Sequence, residues 1–193
     1  HHHEDHIGGT KELIKEWPDA KVIASNKEIK RIPFQTFPVD NNDIFYLLDS
    51  EVKVIEVHGH TNNHISFYIS KDKAKYNILF PGDTIFGAGC GRLLEGTPSQ
   101  MFKSLKRLNA LPANTKIYSA HEYTENNLKW ALSLEPNDIS IIERLRLVQK
   151  KLQQGLPSLP STISEERKTN LFLKAKNVEE LIMLRRHKDN WKC

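Results

Sequence analysis

Cysteine is almost absent from this chain, since only Cys90 and Cys193 occur among 193 residues. Two cysteines cannot build the multi-bridge scaffold of small secreted proteins, which favours a reducing compartment. Long hydrophobic runs are absent too, because no stretch approaches the roughly eighteen apolar residues of a membrane span. No secretory signal pattern opens the chain. We therefore expect no membrane partner and a cytoplasmic location, with the mitochondrial matrix as the alternative if a transit peptide precedes this sequence.

The net charge of the chain is also small. The formal net charge is +4, which suits an anionic small molecule but is thin support for a nucleic-acid partner. Hydrophobic residues make up 38% and charged residues 27%, so a packed core is possible. Histidine is the residue to pursue, because the chain contains nine and imidazole is the commonest metal ligand in proteins.

The hydrophobic pattern divides the chain into two parts. Residues 1–120 alternate short β-type runs with turns, and residues 121–193 show mostly helical spacing. Strands are predicted at residues 20–24, 29–32, 52–57, 65–69, 76–80 and 116–119, with a polar turn at residues 71–75. Helices are predicted at residues 11–17, 99–108, 124–134, from 138 to 152 with Asp138 as N-cap, and 178–186 with Asn177 as N-cap. Residues 156–162 are expected to form a loop.

The first six residues carry a candidate metal motif. His1, His3, Asp5 and His6 form the pattern H-x-H-x-D-H. On an extended or tightly turned segment, two nitrogens can serve one metal ion while a carboxylate and a nitrogen serve a second. An artificial histidine tag would account for three histidines at a chain start, but not for Asp5 and His6.

Three further candidate ligands each follow a predicted strand. His60 comes after residues 52–57, Asp83 after residues 76–80, and His121 after residues 116–119. Side chains at strand ends commonly project into one site on a rigid sheet. The sequence therefore predicts that these residues meet the first motif.

Four segments resemble, in order and separation, the successive motifs of the glyoxalase II (hydroxyacylglutathione hydrolase) family of the metallo-β-lactamase superfamily. They are HHHEDHIGG, HGHTNNH, LFPGDTIFGAGCGRLLEGT and AHEYTENNLKWAL, and the likeness continues through LRRHKDNW. The resemblance implies an α+β fold with an αββα sandwich at residues 1–122. A helical glutathione-binding domain would follow at residues 123–193.

The resemblance also implies a site and a reaction. One metal ion would be held by His1, His3 and His60, the second by Asp5, His6 and His121, with Asp83 bridging both. The two ions are expected to be divalent, with zinc first and iron or manganese as alternatives. A metal-bridging hydroxide would hydrolyse S-(2-hydroxyacyl)glutathione thioesters, converting S-D-lactoylglutathione to D-lactate and glutathione. Asp5 would have a second, catalytic role in orienting that hydroxide.

Substrate contacts are implied for four residues. Arg185 and Lys188 would bind the glycine end of glutathione, Tyr123 its backbone, and Arg92 lies where the family uses Lys or Arg. Charge alone would instead favour a solvated helix end for Arg185 and Lys188, offsetting the helix dipole. The partner is thus predicted to be a small glutathione thioester, bound by a monomer.

Two other residues near these motifs receive structural roles. His64 is expected to pack behind the site or support a ligand. Cys90, in a glycine-rich turn, could in principle be a thiolate ligand, but a small buried residue is the favoured interpretation.

The resemblance leaves alternatives open. Family members carry several strands before the first motif, so we expect the protein to be longer than this sequence. A mono-iron persulfide dioxygenase uses a similar histidine arrangement, although the LRRHKDNW segment argues against it. A metal-dependent nuclease is more distant, and an inactive metal-binding module is the non-enzymatic alternative.

Overall fold

The computed structural model describes residues 1–70 and 76–192. The turn predicted at residues 71–75 lies outside these ranges, as does residue 193. Among the described residues, no helix is long and apolar enough to span a bilayer.

The described residues form short strands and eight α-helices. The strands are β1 (Ile23–Ser25), β2 (Phe37–Val39), β3 (Ile44–Leu47), β4 (Ser50–Glu56), β5 (Ile65–Ile69), β6 (Ile78–Phe80), β7 (Ile85–Phe86), β8 (Gly89–Cys90), β9 (Lys116–Ile117) and β10 (Ser161–Thr162). The helices are α1 (Glu4–Ile7), α2 (Thr10–Glu16), α3 (Pro98–Asn109), α4 (Thr124–Leu134), α5 (Ile139–Gln153), α6 (Ile163–Thr169), α7 (Leu171–Lys174) and α8 (Val178–Asn190). A 3₁₀ turn covers Asn26–Glu28.

Six strands form the main sheet in the order β10-β9-β6-β5-β4-β3. β4 and β6 each pair antiparallel with β5, and β9 pairs parallel with β6. β4, β6 and β9 therefore run in the same direction, and their carboxyl ends reach the same edge of the sheet. The segments that leave these three strands carry His60, Asp83 and His121.

Buried and exposed side chains alternate along β4, the longest strand. In β4, Val52 and Val54 are buried while Glu51 and Lys53 are exposed, as expected when one sheet face packs on a core. β5 lies exactly where predicted, at Ile65–Ile69. The predicted strands at residues 20–24, 76–80 and 116–119 are present in shorter form as β1, β6 and β9.

Helices α2, α3, α4, α5 and α8 begin within one residue of their predicted starts. α4 matches the predicted residues 124–134. Asp138 caps α5 by accepting from Ser140 N and Ile141 N, and Asn177 caps α8 by accepting from Glu180 N. α3 begins with a capping box between Thr97 and Gln100.

Two predictions of local structure were wrong. Residues 29–32 are not a strand, because the Glu28 carbonyl accepts hydrogen bonds from Arg31 N and Ile32 N and the backbone turns. The predicted loop at residues 156–162 ends in β10, whose Ser161 pairs with Ile117 of the main sheet. The sequence reading also missed β2, β3, β7 and β8, and the short helices α1, α6 and α7.

One buried apolar cluster contains residues from both predicted domains. Leu105 of α3 belongs to it, and so do Trp130 of α4, Phe172 of α7 and Leu181 of α8. The Trp130 and Phe172 rings stack with centroids 5.0 Å apart. A division at residue 122 stays a prediction, and the shared core indicates that the two parts stabilise each other.

We expect Leu181→Ala to lower the free energy of unfolding by about 2–5 kcal/mol, because it leaves a cavity in this shared core. Chemical denaturation followed by circular dichroism and tryptophan fluorescence measures the change. Leu147→Ala, at a leucine of α5 that is 51% exposed, is the control and should change stability by no more than about 0.5 kcal/mol. Two separate transitions, with only one affected by Leu181→Ala, would contradict a shared core.

Candidate metal centre and adjoining cavity

The seven predicted metal ligands meet at one place in the structure. His3 is extended and its carbonyl accepts hydrogen bonds from His6 N and Ile7 N, which starts α1. That turn sends the Asp5 and His6 side chains to the sheet edge where β4, β6 and β9 end. The remaining ligand candidates, His60, Asp83 and His121, arrive there from the three loops.

The first candidate ligand set consists of His1, His3 and His60, whose nitrogen atoms lie within 4.8 Å of one another. His1 Nε2 is 2.9 Å from His3 Nδ1, and His60 Nε2 is 3.2 Å from the same nitrogen. Three imidazole nitrogens facing one point could hold one divalent ion.

The second set consists of Asp5, His6 and His121. Asp5 Oδ2 lies 3.3 Å from His121 Nε2 and 3.7 Å from His6 Nε2. Its side chain is 58% exposed, so this carboxylate forms the solvent side of the cluster.

Asp83 lies between the two sets. Its Oδ1 is 3.2 Å from His6 Nε2, and its Oδ2 is 3.5 Å from His60 Nε2 and 3.6 Å from His121 Nε2. Contact with both sets fits a carboxylate that could bridge two metal ions. His1 also groups with His6 and Asp83, so the two sets are continuous.

Several polar atoms of these residues are buried without a hydrogen-bond partner within the described ranges, which is expected of atoms that bind metal ions. His1 Nδ1, His6 Nε2 and Asp83 Oδ1 are buried and have no hydrogen-bond partner among the described residues. Burial also lowers the pKa of His6, an effect opposed by Asp83, so its ring tends to stay neutral with a lone pair available. Because buried polar atoms normally find partners, nitrogen and carboxylate donors in this state fit divalent cations.

Hydrogen bonds behind the cluster orient two of its members. His60 Nδ1 donates to the Arg92 carbonyl at 2.8 Å, which leaves Nε2 directed at the cluster. His64 Nδ1 donates to the Ile65 carbonyl, and its Nε2 accepts from Asp83 N at 3.0 Å. Burial holds the pKa of His64 well below its usual value, so the ring stays neutral and can accept this bond. His64 thus supports Asp83 and is not one of the seven.

Gly91 lies against the backbone of the Asp83 turn. A Cβ atom at this position would lie 2.0 Å from the Asp83 carbonyl oxygen and 3.2 Å from His60 Cβ. Any side chain would therefore displace two candidate ligands.

We expect Gly91→Ala to reduce metal binding, because the backbone at Asp83 must move to admit the methyl group. Elemental analysis of the purified variant gives the metal content per chain. Gly9→Ala is the matched control, since no atom lies within 4 Å of a Cβ there. Equal metal content in both variants would contradict the role of this close approach.

A cavity of about 450 Å³ adjoins the cluster. His60 and Asp83 line one end of it, and all four predicted substrate residues line the rest: Arg92, Tyr123, Arg185 and Lys188. The Tyr123 ring stacks on the His121 ring with centroids 5.1 Å apart. Residues from both predicted domains therefore form one space beside the candidate metal centre.

Arg185 is not part of a solvated helix end. It is 6% exposed, and its guanidinium lies 5.0 Å from the centre of the Phe172 ring. Its Nη1 donates to the Cys90 carbonyl, and its Nε and Nη2 donate to Asp189 at 3.0 and 2.8 Å. The alternative based on charge alone is therefore wrong for Arg185. Lys188 also reaches the protein, since its Nζ donates to the Asn126 carbonyl.

Cys90 is a buried wall residue of the cavity and belongs to none of the ligand groups found among the described residues. Burial raises the pKa of its thiol to about 11, although Arg185 opposes the shift. A thiol that stays protonated is a poor ligand and nucleophile, which supports the structural interpretation.

We expect Cys90 to resist iodoacetamide at pH 8 in the folded protein, because so little thiolate is present. Cys193→Ser leaves Cys90 as the single thiol, and mass spectrometry measures its alkylation. The same protein in denaturant is the control and should be alkylated rapidly. Rapid alkylation of the folded protein would contradict the protected state.

Sequence reasoning missed the polar contacts that hold the cavity wall. The turn between β7 and β8 receives a hydrogen bond from Asn127 Nδ2 to the Gly87 carbonyl, and one from Asn170 Nδ2 to the Gly89 carbonyl. Glu166 accepts from Ala88 N at 2.8 Å and pairs with Arg144, both side chains being buried. Asn127, Arg144 and Glu166 lie on α4, α5 and α6, and Asn170 is the N-cap of α7. Each contacts a distant segment of the chain, so local hydrophobic periodicity gave no signal for these contacts.

The fold and the cluster define a class of protein. The profile described as "Metallo-beta-lactamase superfamily" matches residues 1–142. The crystal structure of ETHE1 from Myxococcus xanthus superposes with a TM-score of 0.69 at 24% identity, covering 100% of this chain and 68% of that one. A class B3 di-zinc metallo-β-lactamase from an Alaskan soil metagenome gives a TM-score of 0.54 at 15% identity, covering 97% and 69%. These two likenesses concern the fold alone, which is the metallo-β-lactamase fold. Membership of the superfamily is shown by the match over residues 1–142, and it implies two bound divalent metal ions.

The particular family follows from closer relatives. The profile described as "Hydroxyacylglutathione hydrolase C-terminus" matches residues 122–191. The hydroxyacylglutathione hydrolase of Prochlorococcus marinus (strain NATL1A) is 76% identical over 193 residues, covering 100% of this chain and 77% of the relative. The chain therefore belongs to the hydroxyacylglutathione hydrolase family, as the resemblance predicted.

Proposed function

We propose that this chain hydrolyses S-(2-hydroxyacyl)glutathione thioesters, with S-D-lactoylglutathione giving D-lactate and glutathione. The observation that carries the proposal is the cavity, which joins the cluster of candidate ligands to three cationic side chains. A glutathione thioester matches this arrangement, because its reacting carbonyl could lie at the ligand cluster while its carboxylates lie near the cationic side chains. The family name of the close relatives supports the same substrate.

The ligand assignment is part of the proposal. His1, His3 and His60 would hold one ion, Asp5, His6 and His121 the other, and Asp83 both. Nitrogen and carboxylate donors suit zinc, with iron and manganese as alternatives. Two such ions lower the pKa of a bound water to near neutrality and polarise the substrate carbonyl.

Asp5 has the exposure and position of a group that handles the attacking water. Its carboxylate faces solvent and lies 3.3 Å from His121 Nε2, so it can accept a hydrogen bond from that water and orient its lone pair toward the carbonyl carbon. Attack forms a carbon–oxygen bond and breaks the carbon–sulfur bond. The thiolate leaves without a strong acid and takes its proton from solvent.

The other end of the cavity would hold the tripeptide. The Arg92 side chain is 72% exposed and makes only a long ion pair with Asp189, at 3.8 Å from its Nε, so it can turn toward a carboxylate. Arg185 is instead held by shorter bonds to Asp189 and to the Cys90 carbonyl. Arg185 would thus act as a rigid charge and Arg92 as an adaptable one. Tyr123 is 49% exposed on the stacked His121 ring, where its hydroxyl can meet the peptide backbone.

The proposal also includes a monomeric enzyme of the cytoplasm. The low cysteine content supports a reducing compartment. Light scattering after size-exclusion chromatography measures the oligomeric state.

We expect the wild type to contain about two metal ions per chain and to cleave S-D-lactoylglutathione. Asp83→Asn should lose metal and lower kcat/KM about 100-fold or more, because the one carboxylate between both ligand sets loses its charge. Elemental analysis and thioester absorbance measure the two effects. Asp19→Asn, at an exposed aspartate away from the cluster, is the control. A single iron per chain with oxygen consumption on glutathione persulfide would contradict the proposal and favour a dioxygenase.

We expect Lys188→Ala to raise KM about tenfold or more with little change in kcat, because a charge-assisted contact to a carboxylate contributes roughly 1.5–3 kcal/mol. Steady-state kinetics on S-D-lactoylglutathione and on its glycine ethyl ester measure this contact. The ester lacks the glycine carboxylate, so the variant and the wild type should differ little on it. Arg146→Ala, at an exposed arginine of α5, is the control. An equal loss on both substrates would place the contact elsewhere.

A further inference from the structure

His2 belongs to the first motif but not to the metal cluster. Its ring turns away from the ligand sets, with Nδ1 3.5 Å from Glu28 Oε2 and Nε2 3.4 Å from Glu95 Oε1. Arg31 Nη1 lies 3.2 Å from His2 Nε2 and can donate to it. The residue between two candidate ligands is thus attached to a separate polar group of side chains.

Arg31 is the centre of this group. Its Nε donates to Glu28 Oε2 at 2.7 Å and its Nη2 to Glu28 Oε1 at 2.5 Å, which is the two-point geometry of a guanidinium on a carboxylate. Glu28 is 1% exposed, so its charge depends on this partner. Neither residue lines the cavity that contains Arg92 and Arg185. Glu28 instead lines a second cavity, together with His1 and His6.

The third nitrogen of Arg31 extends the connection to the His60 loop. Nη1 donates to Glu95 Oε1 at 2.5 Å, and Glu95 Oε2 accepts from Asn62 N at 2.9 Å. The His60 carbonyl accepts from Leu94 N and Glu95 N. One side chain therefore joins the first motif, the 3₁₀ turn after β1, the loop that carries His60 and the loop that carries Glu95.

We propose that Arg31 is a positioning residue which, through Glu28, Glu95 and His2, holds the first motif against the His60 loop. It thereby sets the affinity for the metal ion at His1, His3 and His60. These three ligands come from two segments that are 57 residues apart between His3 and His60, and their rings meet only if the segments keep a fixed separation. This role rests on the proposed function, because that proposal assigns the ligand set.

A purely structural role is the alternative, since breaking a buried ion pair destabilises a protein wherever it lies. The chain offers a matched pair to separate the two roles. Arg144 and Glu166 form another arginine–carboxylate contact, at 2.6 Å, on helices α5 and α6. Glu166 is as deeply buried as Glu28, although Arg144 is more buried than Arg31. Arg144→Gln and Arg31→Gln each leave one buried glutamate without its arginine, but only Arg31 is joined to the candidate ligands.

The test is metal affinity of the metal-free protein, measured by zinc titration in competition with a chromogenic chelator. Arg31→Gln is expected to bind one of the two ions at least about 10-fold more weakly, as for other residues that orient metal ligands. Arg144→Gln is expected to lose at least as much thermal stability as Arg31→Gln, because Arg144 is the more buried residue, while keeping wild-type affinity. Arg31→Lys, which keeps the charge but lacks the fork, should recover only part of the affinity.

A double variant covers the case in which Arg31→Gln does not fold. Glu28→Gln with Arg31→Met removes both charges at similar volume, so no buried charge is left, and its zinc affinity should still fall. Wild-type affinity at both sites in a folded Arg31 variant would overturn the proposal. If the wild type binds two ions but does not cleave S-D-lactoylglutathione, the proposed function fails, whereas the affinity comparison still decides the role of Arg31.

Discussion

Close packing of metal-binding atoms at one point is the constraint on which this structure depends. Imidazole nitrogens and carboxylate oxygens from four segments of the chain face each other at 2.9–3.7 Å, and several have no hydrogen-bond partner among the described residues. Such a cluster is unfavourable without cations, so the surrounding fold must hold it in place. The main sheet does so by ending β4, β6 and β9 at one edge, where each following loop is short.

The support behind the cluster is made of neutral and paired groups. His64 accepts from the Asp83 backbone, the Arg92 carbonyl fixes the His60 ring, and Gly91 allows two chain segments to touch. Arg31 and Glu28 add a charged pair at one side, with Glu28 fully enclosed. Asp83 is restricted by both His64 and Gly91, and His60 by both the Arg92 carbonyl and Gly91. Contacts of this kind give a site formed from distant segments a single geometry.

Much of the site could be predicted from the sequence, because ligand chemistry leaves a strong local pattern. His1, His3, Asp5 and His6 are adjacent in the chain, and His60, Asp83 and His121 each follow an apolar strand. Residues 29–32 were wrongly predicted to form a strand, because Ile29 and Ile32 suggest β structure. In the structure the backbone turns there, since Arg31 N and Ile32 N donate to the Glu28 carbonyl. The roles of Arg31, Glu166 and Asn170 arise from contacts between distant segments, and local periodicity carries no signal for these. Burial of Arg185 was likewise invisible, since a basic helix end normally faces water.

The β7–β8 hairpin follows β6 of the main sheet in the chain, but side chains of the helical region hold it in place. Its strands contain only two residues each, and its turn is tied to Asn127, Glu166 and Asn170 of the helical region. The wall of the cavity is therefore shaped by helices that follow it in the chain. A recombination event that exchanged the helical region would also remove these hydrogen bonds. The cavity wall would then be less firmly held, unless the new helical region kept the two asparagines and the glutamate at the same positions. The shape of the substrate cavity and the helical region that supports it must therefore evolve together.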